Sequence, residues 1–163
     1  MKTMWMVASV LFAACVTPCQ AGGAVCGETL DLYAECSGST MATDRLVLAR
    51  SPTLPGVQPA VCVDKRTGLF GLKILNVEVM KLEYSGDLLV QTTVDSSADL
   101  LEFSKTYIGR NMAVIKNEQV LKVSALRSLL PSEHIAFGVG SQGEADALMK
   151  AIMGECGTPS HSG

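Results

Sequence analysis

Leu88-Leu89-Val90-Gln91-Thr92-Thr93-Val94-Asp95-Ser96-Ser97-Ala98-Asp99-Leu100-Leu101-Glu102-Phe103-Ser104-Lys105-Thr106-Tyr107-Ile108-Gly109 changes its apolar period partway along, and that change decides the fold. Leu88, Val90, Thr92 and Val94 alternate on one face of a strand rich in β-formers. Beyond Asp95, Leu100, Phe103 and Tyr107, with Leu101 and Ile108, recur at helical spacing. Asp95-Ser96-Ser97 offers side-chain oxygens to the free amides of a first helical turn. Gly109 stops the helix, because glycine enters the left-handed conformation without a Cβ clash.

Working outward, residues 72–84 alternate weakly and Ser85-Gly86-Asp87 is a turn signal, so a hairpin with 88–94 is expected. Downstream, Met112–Lys116 reads as a strand, Asn117-Glu118 as a turn, and Val120–Leu126 as the hairpin partner. Leu129-Leu130-Pro131-Ser132 is a loop. His134–Val139 is a further strand with Ile135, Phe137 and Val139 on one face. Ser141-x-x-Glu144 is a capping box. It opens a helix to about Met153 that sets Ala145, Leu148, Met149 and Ile152 on one side. The order β-β-α-β-β-β-α predicts an α+β fold, a mainly antiparallel sheet with two helices packed on one face. The domain is expected over 70–153, with a polar tail over 154–163.

Residues 22–69 are expected to be an irregular, disulfide-tied segment. Glu28–Cys36 reads as a short helical turn, Leu46–Leu48 as a short strand, and Ser51–Pro59, with three prolines, as a loop. Residues 1–21 read as a signal peptide. Lys2 is followed by an apolar run from Met4 to Val16, too short for a permanent span of about 20 residues and suited to a signal-peptide core. Pro18 breaks the helix, and Cys19-Gln20-Ala21 supplies small residues for cleavage after Ala21. A second route competes: Phe12-Ala13-Ala14-Cys15 resembles a lipobox, which would make Cys15 a lipidated first residue.

Cleavage after Ala21 leaves Cys26, Cys36, Cys62 and Cys156, an even number suited to disulfides in an oxidising compartment. Lipidation at Cys15 would retain Cys19 as a fifth thiol. Four cysteines allow three pairings, and sequence does not choose among them. Cys26–Cys36 with Cys62–Cys156 is the expected arrangement.

Composition narrows function. The 163 residues are 48% hydrophobic and 18% charged, with net charge −3. A disordered chain would be charge-rich and poor in apolar residues. Scattered Lys and Arg give no phosphate-binding stripe, so no nucleic-acid partner is expected. Gly138-Val139-Gly140-Ser141-Gln142-Gly143 matches G-x-G-x-x-G but lacks the following strand and acidic residue of a dinucleotide site, so the glycines read as a tight turn. His134 opens a strand, and His161 sits in the tail. Asp95 and Asp99 read as helix-start carboxylates. The cysteine spacing does not suit zinc. No catalytic residue, cofactor or metal is expected.

Thr92–Ser96 entering a helix, then Phe103-Ser104-Lys105-Thr106-Tyr107-Ile108-Gly109-Arg110, Asn111–Ile115, Val120–Ala125, Ile135–Gly138 and the helix Ser141–Ile152 through Glu144-Ala145 and Leu148 form an ordered series. From Phe70 to Met153, about half the chain, this series resembles the periplasmic head subdomain of the SecD family, a membrane component that assists bacterial protein export. Leu126 departs from that pattern, which has proline there, and Asn117-Glu118 replaces an Asp-Gly turn. The family's transmembrane helices have no counterpart here. The resemblance implies a stand-alone exported, periplasmic, non-enzymatic module that contacts a protein or polypeptide partner. Two other functions remain open on the sequence. One is a lipid-anchored envelope protein, with membrane contact only through Cys15; the other is a small enzyme with an unrecognised site.

Overall fold

The computed structural model describes residues 27–54, 59–130 and 133–154. Eight strands and two helices follow in the order β1 (Thr29–Ala34), β2 (Arg45–Ala49), β3 (Ala60–Asp64), β4 (Leu69–Lys81), β5 (Leu88–Val94), α1 (Ser97–Tyr107), β6 (Asn111–Lys116), β7 (Gln119–Ala125), β8 (His134–Val139) and α2 (Gln142–Met153). Six strands form one antiparallel sheet in the order β7-β6-β1-β4-β5-β8, and β2 pairs with β3 as a separate hairpin. The α+β architecture and its β-β-α-β-β-β-α series are those the apolar periods predict.

The sheet is not confined to 70–153. Residues Glu28–Cys36, expected as a helical turn, instead contain β1, which lies between β4 and β6. Leu30, Tyr33 and Ala34 fit a helical stripe as well as Leu30, Leu32 and Ala34 fit a strand face, so six residues could not separate the periods. Long-range pairing settled the matter. Leu30 and Leu32 enter the main core, while Tyr33 faces a second core formed with Val61, Val63, Ala113, Ile115 and Val120. The β2–β3 hairpin closes that second core with Leu46 and Leu48.

β4 is shared between two neighbours. Its first part pairs with β1 and its second with β5. Between them Ile74 pairs with Val94 and Asn76 with Thr93, which leaves Leu75 as an inserted residue, half exposed. Such a bulge bends the strand. A second irregularity sets Phe70 and Gly71 opposite Asp31, where Gly71 takes φ +69° and donates its N–H to Asp31 Oδ1 at 2.8 Å.

Both helices pack on the main core: Leu100 and Phe103 from α1, Ala145, Leu148 and Ile152 from α2. Ser104 is fully buried in α1, and its hydroxyl accepts the Leu130 N–H at 2.9 Å, tying the following loop to the helix. The β6–β7 turn is tight, with both Asn117 (φ 50°) and Glu118 (φ 61°) left-handed, as a two-residue hairpin turn requires. Leu126 uses its N–H to donate to Arg110 O at 2.9 Å, a bond proline at that position could not make.

Because β1 supplies the contact between β4 and β6, a chain beginning at Phe70 should fail to fold. We expect its circular dichroism and amide dispersion to be those of an unfolded chain, while residues 22–163 unfold cooperatively. A cooperative transition in the shorter chain would refute the dependence on β1.

Candidate interaction edge

β8 is an edge strand, paired with β5 alone from Leu88–Val139 to Thr93–His134. The ladder's phase follows from one bond: Val94 N–H donates to Glu133 O at 2.8 Å. In an antiparallel pair, hydrogen-bonded positions alternate. Glu133, Ile135, Phe137 and Val139 therefore turn their backbone groups towards β5, and His134, Ala136 and Gly138 turn theirs away. All three are exposed. The strand holds no proline and no Lys, Arg, Asp or Glu. Natural edges are commonly blunted by such residues.

The side chains sort by face. Ile135 and Phe137 are buried in the main core. The opposite face of β4-β5-β8 is mixed: Met80 opposes Leu89 at one end, and polar or small side chains cover the rest. Gln91 Nε2 donates to Glu78 Oε1 at 3.1 Å, and Thr93 Oγ1 lies 3.0 Å from His134 Nδ1. His134 is thus an edge residue with a hydroxyl partner.

The glycine-rich turn is already occupied. Ser141 Oγ caps α2 by accepting the Glu144 N–H at 3.1 Å. Glu144 reaches back, and its Oε2 accepts the Gly140 N–H at 2.8 Å while Oε1 accepts Lys122 Nζ at 2.7 Å. The chain's own carboxylate sits where a phosphate would have to bind. Its pKa lies below the usual range, held there by the Lys122 hydrogen bond first and the Gly140 amide second. The helix-start carboxylates are structural as well: Asp95 Oδ1 accepts the Lys73 N–H at 3.1 Å, and Asp99 accepts from the Ser96 hydroxyl.

A polar network at the far end of the sheet has no counterpart in the sequence reading. Asp64, 3% exposed, ends β3. Its carboxylate accepts Arg66 N–H at 3.2 Å, Arg66 Nε and Nη2 at 3.4 Å each, and Thr40 Oγ1 at 3.3 Å. Arg66 Nε also lies 3.1 Å from Asp44 Oδ2, and Arg110 Nη2 reaches Glu35 O at 2.5 Å. Burial pushes the Asp64 carboxyl up, but the Arg66 hydrogen bonds and charge with the Thr40 hydroxyl together outweigh it, and the net shift is downward. Beside the network, Cys36 and Cys62 form a disulfide, with Cα atoms 5.4 Å apart. That bond overturns both expected pairings, Cys26–Cys36 and Cys62–Cys156. The backbone brings the two together: Cys36 N–H donates to Cys62 O at 2.9 Å. Cys15, Cys26, Cys156 and His161 lie outside the described residues.

A groove of about 510 Å³ opens between the hairpin and the sheet, lined by Asp31, Tyr33, Leu46, Val47, Ile115 and Glu118 among others. Burial first, and Asp31 second, push the Tyr33 phenol up, so it remains a neutral hydroxyl. Among the described residues no group of three or more His, Cys, Asp or Glu could hold a metal ion, and no helix is long and apolar enough to cross a membrane.

No family model matches the chain, and no curated protein matches it. A solved structure of SecDF, described as a membrane component that enhances protein export, is similar at 10% identity with a TM-score of 0.43. The similarity covers 78% of this chain and 63% of that one, so the chain spans less than two thirds of its length. Similarity at that level says nothing about activity or partner.

The depressed carboxyls of Asp64 and Glu144 make stability acid-sensitive. A lowered folded pKa stabilises fully above the unfolded value, about 4 for a carboxyl, and the gain is lost as pH falls through the folded value. Urea midpoints should therefore fall steadily below about pH 4. The Asp64→Asn variant, less stable at neutral pH, should show a shallower fall. Parallel curves for the two proteins would contradict the assignment.

Proposed function

We propose that this chain is an exported, non-enzymatic module that binds an extended polypeptide segment as an added strand along β8. The observation that carries this reading is the outward row of backbone groups at His134, Ala136 and Gly138, on an edge without charge or proline. Strand addition draws affinity from main-chain hydrogen bonds and tolerates varied sequences. The polar part of the face beside the edge, with Glu78, Gln91, Thr93 and His134, would meet alternate side chains of the incoming strand. The resemblance of residues 70–153 to a polypeptide-contacting head points the same way.

Export is part of the proposal. Residues 1–21 act as a signal peptide, the protein works in the periplasm, and its domain begins within residues 22–69. The even number of cysteines beyond Ala21 favours ordinary cleavage over lipidation at Cys15. Intact mass of the secreted protein should correspond to a chain starting at Gly22. A diacylglyceryl adduct on Cys15 would replace this with the envelope-anchored alternative.

Ala136→Pro is the direct test of the edge. It deletes one outward N–H and leaves the β5 ladder intact, the placement at which edge strands accept proline. The variant should keep its melting temperature to within about 3 °C, the shift that under 1 kcal/mol produces in a domain of this size. It should lose most of its binding to an immobilised, reduced and alkylated unfolded polypeptide. Unchanged binding removes β8 from the account, and no binding by the parent protein removes the function.

A further inference from the structure

The groove between the β2–β3 hairpin and the sheet plays no part in strand addition at β8, and its charged lining is of one sign. Its volume of about 510 Å³ falls in the range of small-molecule sites, roughly 300–1,000 Å³. Half-buried Leu46 and Leu48 and buried Ile115 give it apolar walls. Asp31 and Glu118 are its charged residues, and no Lys, Arg or His lines it. Neither carboxylate forms an ion pair with a described residue.

Surface carboxylates are usually just solvated; Tyr33 is the unusual member of this lining. It is 9% exposed, and its hydroxyl makes no hydrogen bond with a described residue. Buried hydroxyls normally have a partner, because the hydration lost on burial is otherwise not replaced. Asp31 and Tyr33 are two apart on β1 and share a face. Asp31 Oδ1 accepts the Gly71 N–H at 2.8 Å, which fixes the carboxylate at the groove wall beside a phenol that stays neutral.

β2 adds further acceptors. Arg50 N–H donates to Pro59 O at 2.9 Å, and hydrogen-bonded positions alternate along an antiparallel ladder. Leu46 and Leu48 therefore turn their backbone groups towards β3, and Val47 and Ala49 turn theirs away. Cys62, opposite Val47, agrees: its carbonyl accepts from Cys36. Val47 and Ala49 both line the groove. An ammonium carries three donors and no acceptor, which suits polar groups that are carboxylates, carbonyls and a hydroxyl. We propose that this groove binds a primary ammonium carried on an apolar body, with the cation between Asp31 and the Tyr33 hydroxyl and the body against Leu46, Leu48 and Ile115. Glu118, exposed on the β6–β7 turn, adds negative charge at the opening. The site is built on β1, β2 and β6, so it stands whether or not β8 takes up a strand.

Titration of the isotope-labelled, full-length protein with 2-phenylethylammonium, followed by amide chemical shifts, tests the proposal. Saturable shifts centred on Val47, Ala49 and Ile115 are expected. The neutral N-acetyl derivative and the anion 3-phenylpropionate should bind at least about tenfold more weakly, as the loss of a charge-assisted hydrogen bond implies. Asp31→Asn keeps an acceptor for Gly71, and Tyr33→Phe keeps the ring. Each should weaken the amine several-fold with amide dispersion intact, while Ala136→Pro should leave its affinity unchanged. A blocked Val-Lys-Val peptide and its Nε-acetyl-lysine counterpart identify the source of the cation. Tighter binding of the lysyl peptide than of the amine assigns the groove to polypeptide side chains, and the reverse order assigns it to small amines. Equal binding of cation and acetylated analogue, full affinity in both groove variants, or no saturable shift with either cation would overturn the proposal.

Discussion

The fold depends on β1 lying between β4 and β6. Without that strand, β4-β5-β8 and β6-β7 are two small sheets with unpaired backbone where they now meet. Backbone pairing alone would not hold it there, since a hydrogen bond contributes only about 0.5–1.5 kcal/mol net of its exchange with water. Burial on both faces does. Leu30 and Leu32 are fully buried under the helices, and Tyr33 is nearly so under the β2–β3 hairpin. Each large apolar side chain buried this way contributes about 1.5–3 kcal/mol. The hairpin is therefore a lid for the second face of β1 as well as a pair of strands.

The ion pairs are secondary to this. Arg66 is more than half exposed, so water screens a pair such as Arg66–Asp44 and leaves it little net contribution to stability. Their service is placement. Asp64 ends β3 with Arg66 and Thr40 around it, and the Cys36–Cys62 bond ties the end of β1 to the middle of β3. Together they hold the hairpin in register over the sheet.

Several features that look chemical are consumed by the fold itself. The glycine-rich turn is filled by Glu144, Asp95 and Asp99 are engaged by a backbone amide and the Ser96 hydroxyl, and His134 faces Thr93. The outer side of β8 has no partner strand among the described residues, whereas the other edge of the sheet, β7, has the Arg50–Val120 bridge against its outer side.

Local pattern was enough to establish the strands and helices from residue 72 onward, because each carries its own period: alternation in 88–94 and 134–139, helical spacing in 97–107 and 142–153. The Asn117-Glu118 turn and the Ser141–Glu144 cap were legible for the same reason, since their bonds close within a few residues. Three things were not. β1 carries an ambiguous six-residue pattern that only pairing with β4 and β6 resolves. The Cys36–Cys62 bond joins residues 26 apart that meet only because β3 runs beside the end of β1. The unpaired side of β8 is a property of strand order, and a strand's own residues carry no record of which neighbour is missing. From residue 72 onward the sequence by itself determined where the chain is strand or helix; tertiary structure alone decided that β1 is a strand and which edges, pairs and cysteines face one another, because those contacts are made between residues whose separation along the chain no local period encodes.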